Sequence, residues 1–387
     1  MIRASGPAWT LRPRRTRKEF SLALFVDDSP RLSSPPSSPR RRRAGWLALL
    51  TSLLAALALT LLPSPYVVQQ PGPVYDTLGP GAEGEDLVEI RGATTYETEG
   101  SLDMLTVSVY GNRDDRPNWI EVAGAWVDPQ RAIVPVESIY PSGTTTDEID
   151  EQNLVEMSNS QQTAVAVALT ELGYDFESRV LVGAVSEGAP ADGVLQEGDE
   201  VTAVDGQAVA TESELRAAIE ARAPGDDISL TVVRDGATSD QLVTAADAGG
   251  RTVIGIAPAV QYTFPLQVDI TLDGVGGPSA GMMFTLAIID KLTEGPLTGG
   301  EDIAGTGTIS ADGTVGRIGG IRQKLFAAER EGVEWFLAPE GNCAEVVGHV
   351  PDGLEVFPVG TLDEALEVTQ TIAEDGDVSE LARCEAG

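Results

Sequence analysis

Apolar positions fall along this chain in three kinds of run. The first is unbroken: "AGWLALLTSLLAALALTLL", Ala44 to Leu62, holds 19 residues without a charge, enough to span a bilayer hydrocarbon core as a helix. The second kind alternates or is short, and predicts strands; the third recurs every three to four residues and predicts helices. "LDMLTVSVY" (Leu102–Tyr110) alternates like a strand, and "NLVEMSNSQQTAVAVALTELG" (Asn153–Gly173) reads as a helix stopped by Gly173. Next, "RVLVGAV" predicts a strand, "GAPADG" a turn, and "EVTAVDGQAV" a hairpin about Asp205-Gly206. Thr211 then caps a helix, Glu214 three residues on completes a capping box, and Leu215 and Ile219 mark its inner face. "DISLTVVRDG" follows as a strand and turn.

The last third is mixed α/β. "PLQVDIT" (Pro265–Thr271) predicts a strand leading to a glycine-rich loop, then a helix over 279–292 with Gly295-Pro296 as its stop. Met282, Met283, Phe284, Leu286, Ile288 and Ile289 make that helix apolar nearly all round, so it is expected to be buried. "GGIRQKLFAAEREG" (Gly319–Gly332) predicts a helix ending at Gly332, with Ile321, Lys324, Leu325 and Ala328 on one face. "EWFLAPEGN", "LEVFPVG" and a Thr361-capped helix "LDEALEVTQ", with Glu364 closing its box, complete the domain.

Charge narrows the function. Residues 1–62 hold 11 Lys+Arg and 3 Asp+Glu, leaving 15 basic against 57 acidic side chains in 63–387, a net −42. A body so acidic repels phosphate backbones, which argues against nucleic acid as a partner. The single histidine, His349, excludes His-rich zinc sites, and no G-x-x-x-x-G-K-[ST] loop exists to bind ATP. No metal or other cofactor is called for. Spacing leaves open whether Cys343 and Cys384 pair. Residues 1–43, rich in Arg, Pro and Ser, read as a disordered basic tail. Arg40 to Arg43 directly before the apolar run keep that tail in the cytoplasm and send the body across the membrane. A cleaved signal peptide is the competing reading, since "LAALA" offers small residues.

Two residues carry candidate chemistry. Ser279, in "GVGGPSAG", sits between glycines ahead of the buried helix. It is either a helix cap or a nucleophile, with backbone N–H groups around Gly277, Pro278 and Ala280 placed to receive an oxyanion. G-P-S-A-G also fits the nucleophile elbow of α/β-hydrolases, with His349 downstream, but Leu272 to Pro278 separate strand from serine. Lys324 lies on an inward helical stripe. It either snorkels to water or is desolvated into a base, a change from ~10.4 to ~7 that costs the fold about 4–5 kcal/mol. Lys291 lies on the same helix as Ser279, roughly 18 Å along its axis at the usual rise, too far to replace it.

"GGPSAG" followed by "GTGTISADGTVGRIGGIRQKLFAAEREGV" (Gly305–Val333) resembles the proteolytic domain of Lon-type (S16) serine proteases. The membrane-anchored, PDZ-containing YlbL family is the more similar branch. Tyr174 to Pro258 resembles a PDZ domain of the bacterial protease type, on "GAPADG…GD…V…VDG" (Gly188–Gly206). Its carboxylate loop is absent, with "GYDF" (Gly173–Phe176) the nearest remnant. Glu156–Leu169 is similar to the helix preceding the serine motif, which makes the PDZ unit an insertion. The resemblance implies Ser279 as nucleophile, Lys324 as base and Thr306 as the residue orienting the lysine. The acid that Lon proteins carry three positions before the serine is replaced by Gly276, and Asp273 is the nearest acid.

The fold class expected is therefore α+β: a Lon-type proteolytic domain interrupted by a PDZ domain, after one transmembrane helix. In order these are a tail (1–43), an anchor (44–62), the first part of the protease domain (64–173), the PDZ domain (174–258), the catalytic part (259–373) and a C-terminal tail (374–387). The function implied is a single-pass cell-membrane serine endopeptidase working without ATP on peptides or unfolded protein segments outside the cytoplasm. Its PDZ domain would take a peptide C-terminus, and there is room for a homo-oligomer. A catalytically silent, membrane-tethered PDZ adaptor is the alternative.

Overall fold

The computed structural model describes residues 39–81, 84–272 and 274–385. Most of the basic tail, and Asp273, lie outside the described residues. Helix α1 (Pro39–Leu61) contains a 19-residue stretch, Arg43–Leu61, of mean hydropathy 2.0, with its side chains exposed throughout. It is long and apolar enough to cross a membrane.

The body, described separately, starts with β1 (Tyr66–Asp76), β2 (Val88–Arg91) and β3 (Ser101–Tyr110). Helix α2 (Trp119–Trp126), β4 (Ala132–Pro135), the short α3 (Val136–Ile139) and the long α4 (Thr146–Glu171) follow. Helix α4 begins at Thr146, not at Asn153, because Thr145 and Glu148 form a reciprocal capping box. The acidic first turns have no apolar period to announce them, and burial begins only at Met157.

An inserted unit comes next: β5 (Glu177–Val185), β6 (Glu200–Val204), β7 (Gln207–Ala208), α5 (Glu212–Glu220), β8 (Asp227–Arg234) and β9 (Ala237–Thr244). The β10–β11 hairpin (Ala246–Ala248, Arg251–Val253) and β12 (Ile256–Thr263) complete it. Its sheet runs β12-β5-β6-β8-β9, with β7 on β6. Asp205 and Gly206 turn the β6–β7 hairpin at φ 48° and 79°, the two positive values a type I′ turn requires. Thr211 and Glu214 form the expected box, and Leu215 and Ile219 are buried in a separate core with Val182, Leu230 and Ile254. Strand β12 pairs with β5 from Ile256↔Val185 to Thr263↔Glu177, so the expected boundary at Pro258 falls inside a strand.

The chain then makes β13 (Gln267–Ile270), α6 (Gly281–Leu292), β14 (Asp302–Gly305) and the β15–β16 pair (Thr308–Ile309, Val315–Gly316). Helix α7 (Ile321–Glu331), β17 (Trp335–Pro339), α8 (Cys343–Val346), β18 (Glu355–Val359) and α9 (Leu362–Ala373) end it. The main sheet has the order β18-β17-β14-β3-β1-β4, parallel from β18 to β3 and antiparallel beyond. Leu102 to Leu105 of β3 are buried in succession instead of alternating, because both faces of the sheet are covered. Leu102 and Met104 pack with α6 and α9 on one side; Leu105 packs with α7 on the other.

Two local expectations change. Helix α6 starts at Gly281, and Ser279 makes no cap; Ala280 is the N-cap residue. On α9, Thr361 Oγ1 accepts from the Glu364 N–H, but the Glu364 carboxylate accepts from the Gly360 N–H at 2.6 Å, not from Thr361.

Candidate active site

The loop carrying Ser279 is held from two sides. On the α4 side, the Gly277 N–H donates to Asn153 O at 2.8 Å, and Ser160 Oγ donates to Pro278 O at 3.0 Å. Gly276 passes so close that a Cβ there would meet Asn153 Cβ at 2.7 Å, and Gly277 adopts φ 88°. Both positions require glycine. On the sheet side, the Gly307 N–H (2.9 Å) and Thr306 Oγ1 (3.0 Å) donate to Ser279 O, while the Met282 N–H donates to Gly307 O at 3.1 Å.

Lys324 arrives from the opposite face of the sheet. Helix α7 opens at Gly320 with φ 69°, where a Cβ would lie 2.7 Å from Val107 Cγ2. One turn on, Lys324 is 2% exposed, on the stripe with Ile321 and Leu325. Strand β14 ends at Gly305, which lets the lysine reach past it. Its Nζ donates to Ser279 Oγ and to Thr306 Oγ1, both at 2.8 Å. Burial alone lowers its pKa from 10.5 to about 7; among the described residues no carboxylate pairs with it. Ser279 is only half-buried and opens onto a cleft of about 640 Å³.

The N–H groups expected to face an oxyanion need correction. Gly277 has spent its N–H on Asn153, and Pro278 has none. Ser279 and Ala280 keep backbone N–H groups that bond to nothing among the described residues. The cleft also has a free backbone edge. Strand β14 pairs with β3 only over Ser101–Met104, and Leu105 to Val109 then line the cleft.

The other candidates lie elsewhere. Lys291 Nζ pairs with Asp86 at 2.8 Å, and His349 Nδ1 faces the Val347 carbonyl at 3.1 Å. Cys343 and Cys384 form a disulfide. A second groove, of about 310 Å³, lies between α5 and the segment 251–258, walled by Leu215, Ile219, Ile254 and Ile256 with Arg251. "GYDF" takes no part in it: Phe176 packs edge-on against Tyr262 and Phe264. Sequence reasoning expected a peptide site on this unit but not the residues that wall it, and it missed Asn153 and Ser160. A polar Ser160 in the buried row Met157, Ser160, Ala164 was the signal available.

Residues 273–371 match the Lon protease (S16) C-terminal proteolytic domain, and residues 154–244 match the PDZ domain. The chain therefore carries both domains and is homologous to Lon proteases. It is 33% identical over 152 residues to a Lon protease of Azospirillum brasilense, covering 37% of this chain and 18% of that one. Against Lon proteases of Clostridioides difficile and Brucella suis the identities are 38% over 130 residues and 42% over 96. Those matches cover 32% and 24% of this chain, and 16% and 12% of the relatives, so it spans under a fifth of their length. Among solved structures, it is similar to the PDZ domain of an SdrC-like protein from Listeria innocua at 28% identity and TM-score 0.20, covering 21% of this chain and 92% of that one. The corresponding domain from Listeria monocytogenes gives 27% and 0.20, covering 20% and 85%.

Proposed function

We propose that this chain is a membrane-anchored serine endopeptidase that needs no ATP. It uses a Ser279–Lys324 dyad on extracytoplasmic peptides or unfolded protein segments, and its PDZ domain adjusts that activity. The observation that carries the reading is the 2.8 Å contact between Lys324 Nζ and Ser279 Oγ, where burial brings the amine to about 7. Near neutral pH about half of such lysines are unprotonated and can accept a proton.

The chemistry follows. Neutral Lys324 takes the Ser279 proton as Oγ bonds to the substrate carbonyl carbon, and the carbonyl electron pair moves onto oxygen. The Ser279 and Ala280 N–H groups receive that oxyanion. The lysine ammonium then protonates the leaving nitrogen as the C–N bond breaks, leaving an ester on Ser279. Water attacks the ester while giving its proton to Lys324, which returns it to Oγ as the acid product departs. Thr306 supports the amine: its own proton is committed to Ser279 O, so it can only accept from Nζ. That leaves the lone pair of the amine for Oγ.

An extended peptide is the natural occupant of the cleft, because Leu105 to Val109 offer an unpaired strand edge to add to. The groove along β12 suits an extended peptide C-terminus, with an apolar side chain against Ile219 and Ile254 and its carboxylate towards Arg251. Arg40 to Arg43 ahead of the apolar run support a cytoplasmic N-terminus, and the disulfide suits an oxidising exterior.

The test is an active-site serine probe on the full chain. Labelling is expected to vanish in Ser279→Ala and to fall by a factor on the order of 10³ in Lys324→Arg, whose guanidinium cannot deprotonate. His349→Ala is expected to label normally. A chain that folds but never labels would be the silent adaptor instead.

A further inference from the structure

Helix α2 turns an uncharged face to solvent. Trp126 and Val127 are 83% and 82% exposed, Ile120 is 48% exposed, and Trp119 remains accessible beside them. Ala123 and Gly124 fill the same face, while Val122 and Ala125 point inward and are buried. Glu121, the one charged side chain of the helix, is drawn to its start, where it accepts from the Asn118 N–H and from Tyr110 Oη. An exposed helix face normally carries polar residues; one with two tryptophans and none of them charged asks for a cover.

Chain connectivity says what lies nearby. The apolar stretch of α1 ends at Leu61. The Ser64 N–H donates to Pro117 O at 2.9 Å, and Pro63 forms a β-bridge with Asn118, the N-cap of α2. Three residues reach at most about 11 Å. The start of α2 is therefore tied to the end of the apolar stretch by that short span and one backbone pairing. Charge permits close approach to lipid: residues 110–131 hold three arginines and four acids, nearly balanced in a body that nets −42.

We propose that α2 is an interfacial helix. Its Trp119, Ile120, Trp126 and Val127 face lies in the headgroup region of the leaflet from which the body emerges, the zone that tryptophan favours. The occupant is the lipid surface itself, and the inference rests on the reading of α1 as a membrane anchor.

Full-length protein in phosphatidylcholine–phosphatidylglycerol vesicles provides the test. The described residues hold no free cysteine, so Val127→Cys accepts an environment-sensitive fluorophore at a single place, and Leu242→Cys, 61% exposed on β9, serves as control. With shallow spin-labelled lipids, the dye at 127 is expected to lose roughly half its emission or more, and the dye at 242 little. An unquenched dye at 127 on vesicles that carry the protein would overturn the proposal. A blue shift at 127 that grows with protein density without lipid quenching would also overturn it, and would assign the face to a second copy. Failure of the protein to float with vesicles would instead strike the anchor reading first.

Discussion

Lys324→Met keeps the length of the stem and removes the charge, which turns the desolvation of Lys324 into a measurable stability. The gap between 10.5 and about 7, at about 1.4 kcal/mol per pH unit, amounts to about 4–5 kcal/mol. Below about pH 7 the lysine is protonated in both folded and unfolded chains, so the folded state bears the whole cost. Between about 7 and 10.5 the unfolded chain holds a proton that the folded chain has released, so wild-type stability rises with pH. Above that window both are neutral and the cost is gone. Methionine escapes this cost but forfeits the bonds to Ser279 Oγ and Thr306 Oγ1, about 1 kcal/mol each. The variant should thus be more stable than wild type by about 2–3 kcal/mol at neutral pH, and less stable by about 1–2 kcal/mol above pH 10.5. The curves should cross near about pH 9. Urea unfolding of both full-length chains in detergent across that range measures the difference directly, and all other titrations cancel in it. A difference that stays constant with pH would refute the claim that Lys324 sits desolvated and near-neutral.

Three further outcomes are expected. Asp103 is buried on β3, and burial together with Asp76 pushes its carboxyl up to about 6; the folded chain then holds a proton the unfolded chain has lost, so stability falls as pH rises from about 4 to 6. Asp103→Asn should therefore stabilise the body by up to about 3 kcal/mol at pH 7 and by nothing near pH 3.5, as thermal unfolding would register. Gly277→Ala places a side chain at φ 88°, at a cost of roughly 1–2 kcal/mol, and is expected to cut kcat about tenfold with KM little changed, because it disturbs how Ser279 is held. Arg251→Glu, at the rim of the second groove, should weaken binding of a C-terminal peptide about tenfold by fluorescence anisotropy while leaving small-peptide hydrolysis intact.

The half of the body that follows β12 was legible because its signals are local. Ile321, Lys324, Leu325 and Ala328 lie on one stripe, and that stripe is buried as the spacing predicts. The nearly all-apolar α6 is likewise buried on every side. What could not be read depends on partners distant in sequence. The consecutive burial of Leu102 to Leu105 arises from helices on both faces of β3, which no alternation rule can anticipate. The far wall of the α5–β12 groove was invisible because Ile254 to Ile256 follow the hairpin that ends at Val253, over thirty residues from the helix they face. Glu364 was placed one residue wrong for a subtler reason. The carboxylate takes the Gly360 N–H, one residue before the cap, while the Glu364 N–H still donates to Thr361 Oγ1.

The meeting of Ser279 and Lys324 has a cause in the sheet itself. The serine belongs to a loop packed with α4 and α6 on one face, and the lysine belongs to α7 on the other. A sheet separates its two faces wherever its strands continue. Here β14 stops at Gly305 after pairing with only four residues of β3, and the next two residues, Thr306 and Gly307, bond to the serine backbone instead. The gap is thus filled by the groups that fix Ser279, and the lysine stem passes beside them with Thr306 as its second partner. That passage lies inside the body, among the described residues no carboxylate pairs with the ammonium, and desolvation alone brings it to about 7. One truncated strand therefore accounts for the contact, for the threonine between the two residues, and for the basicity of the lysine.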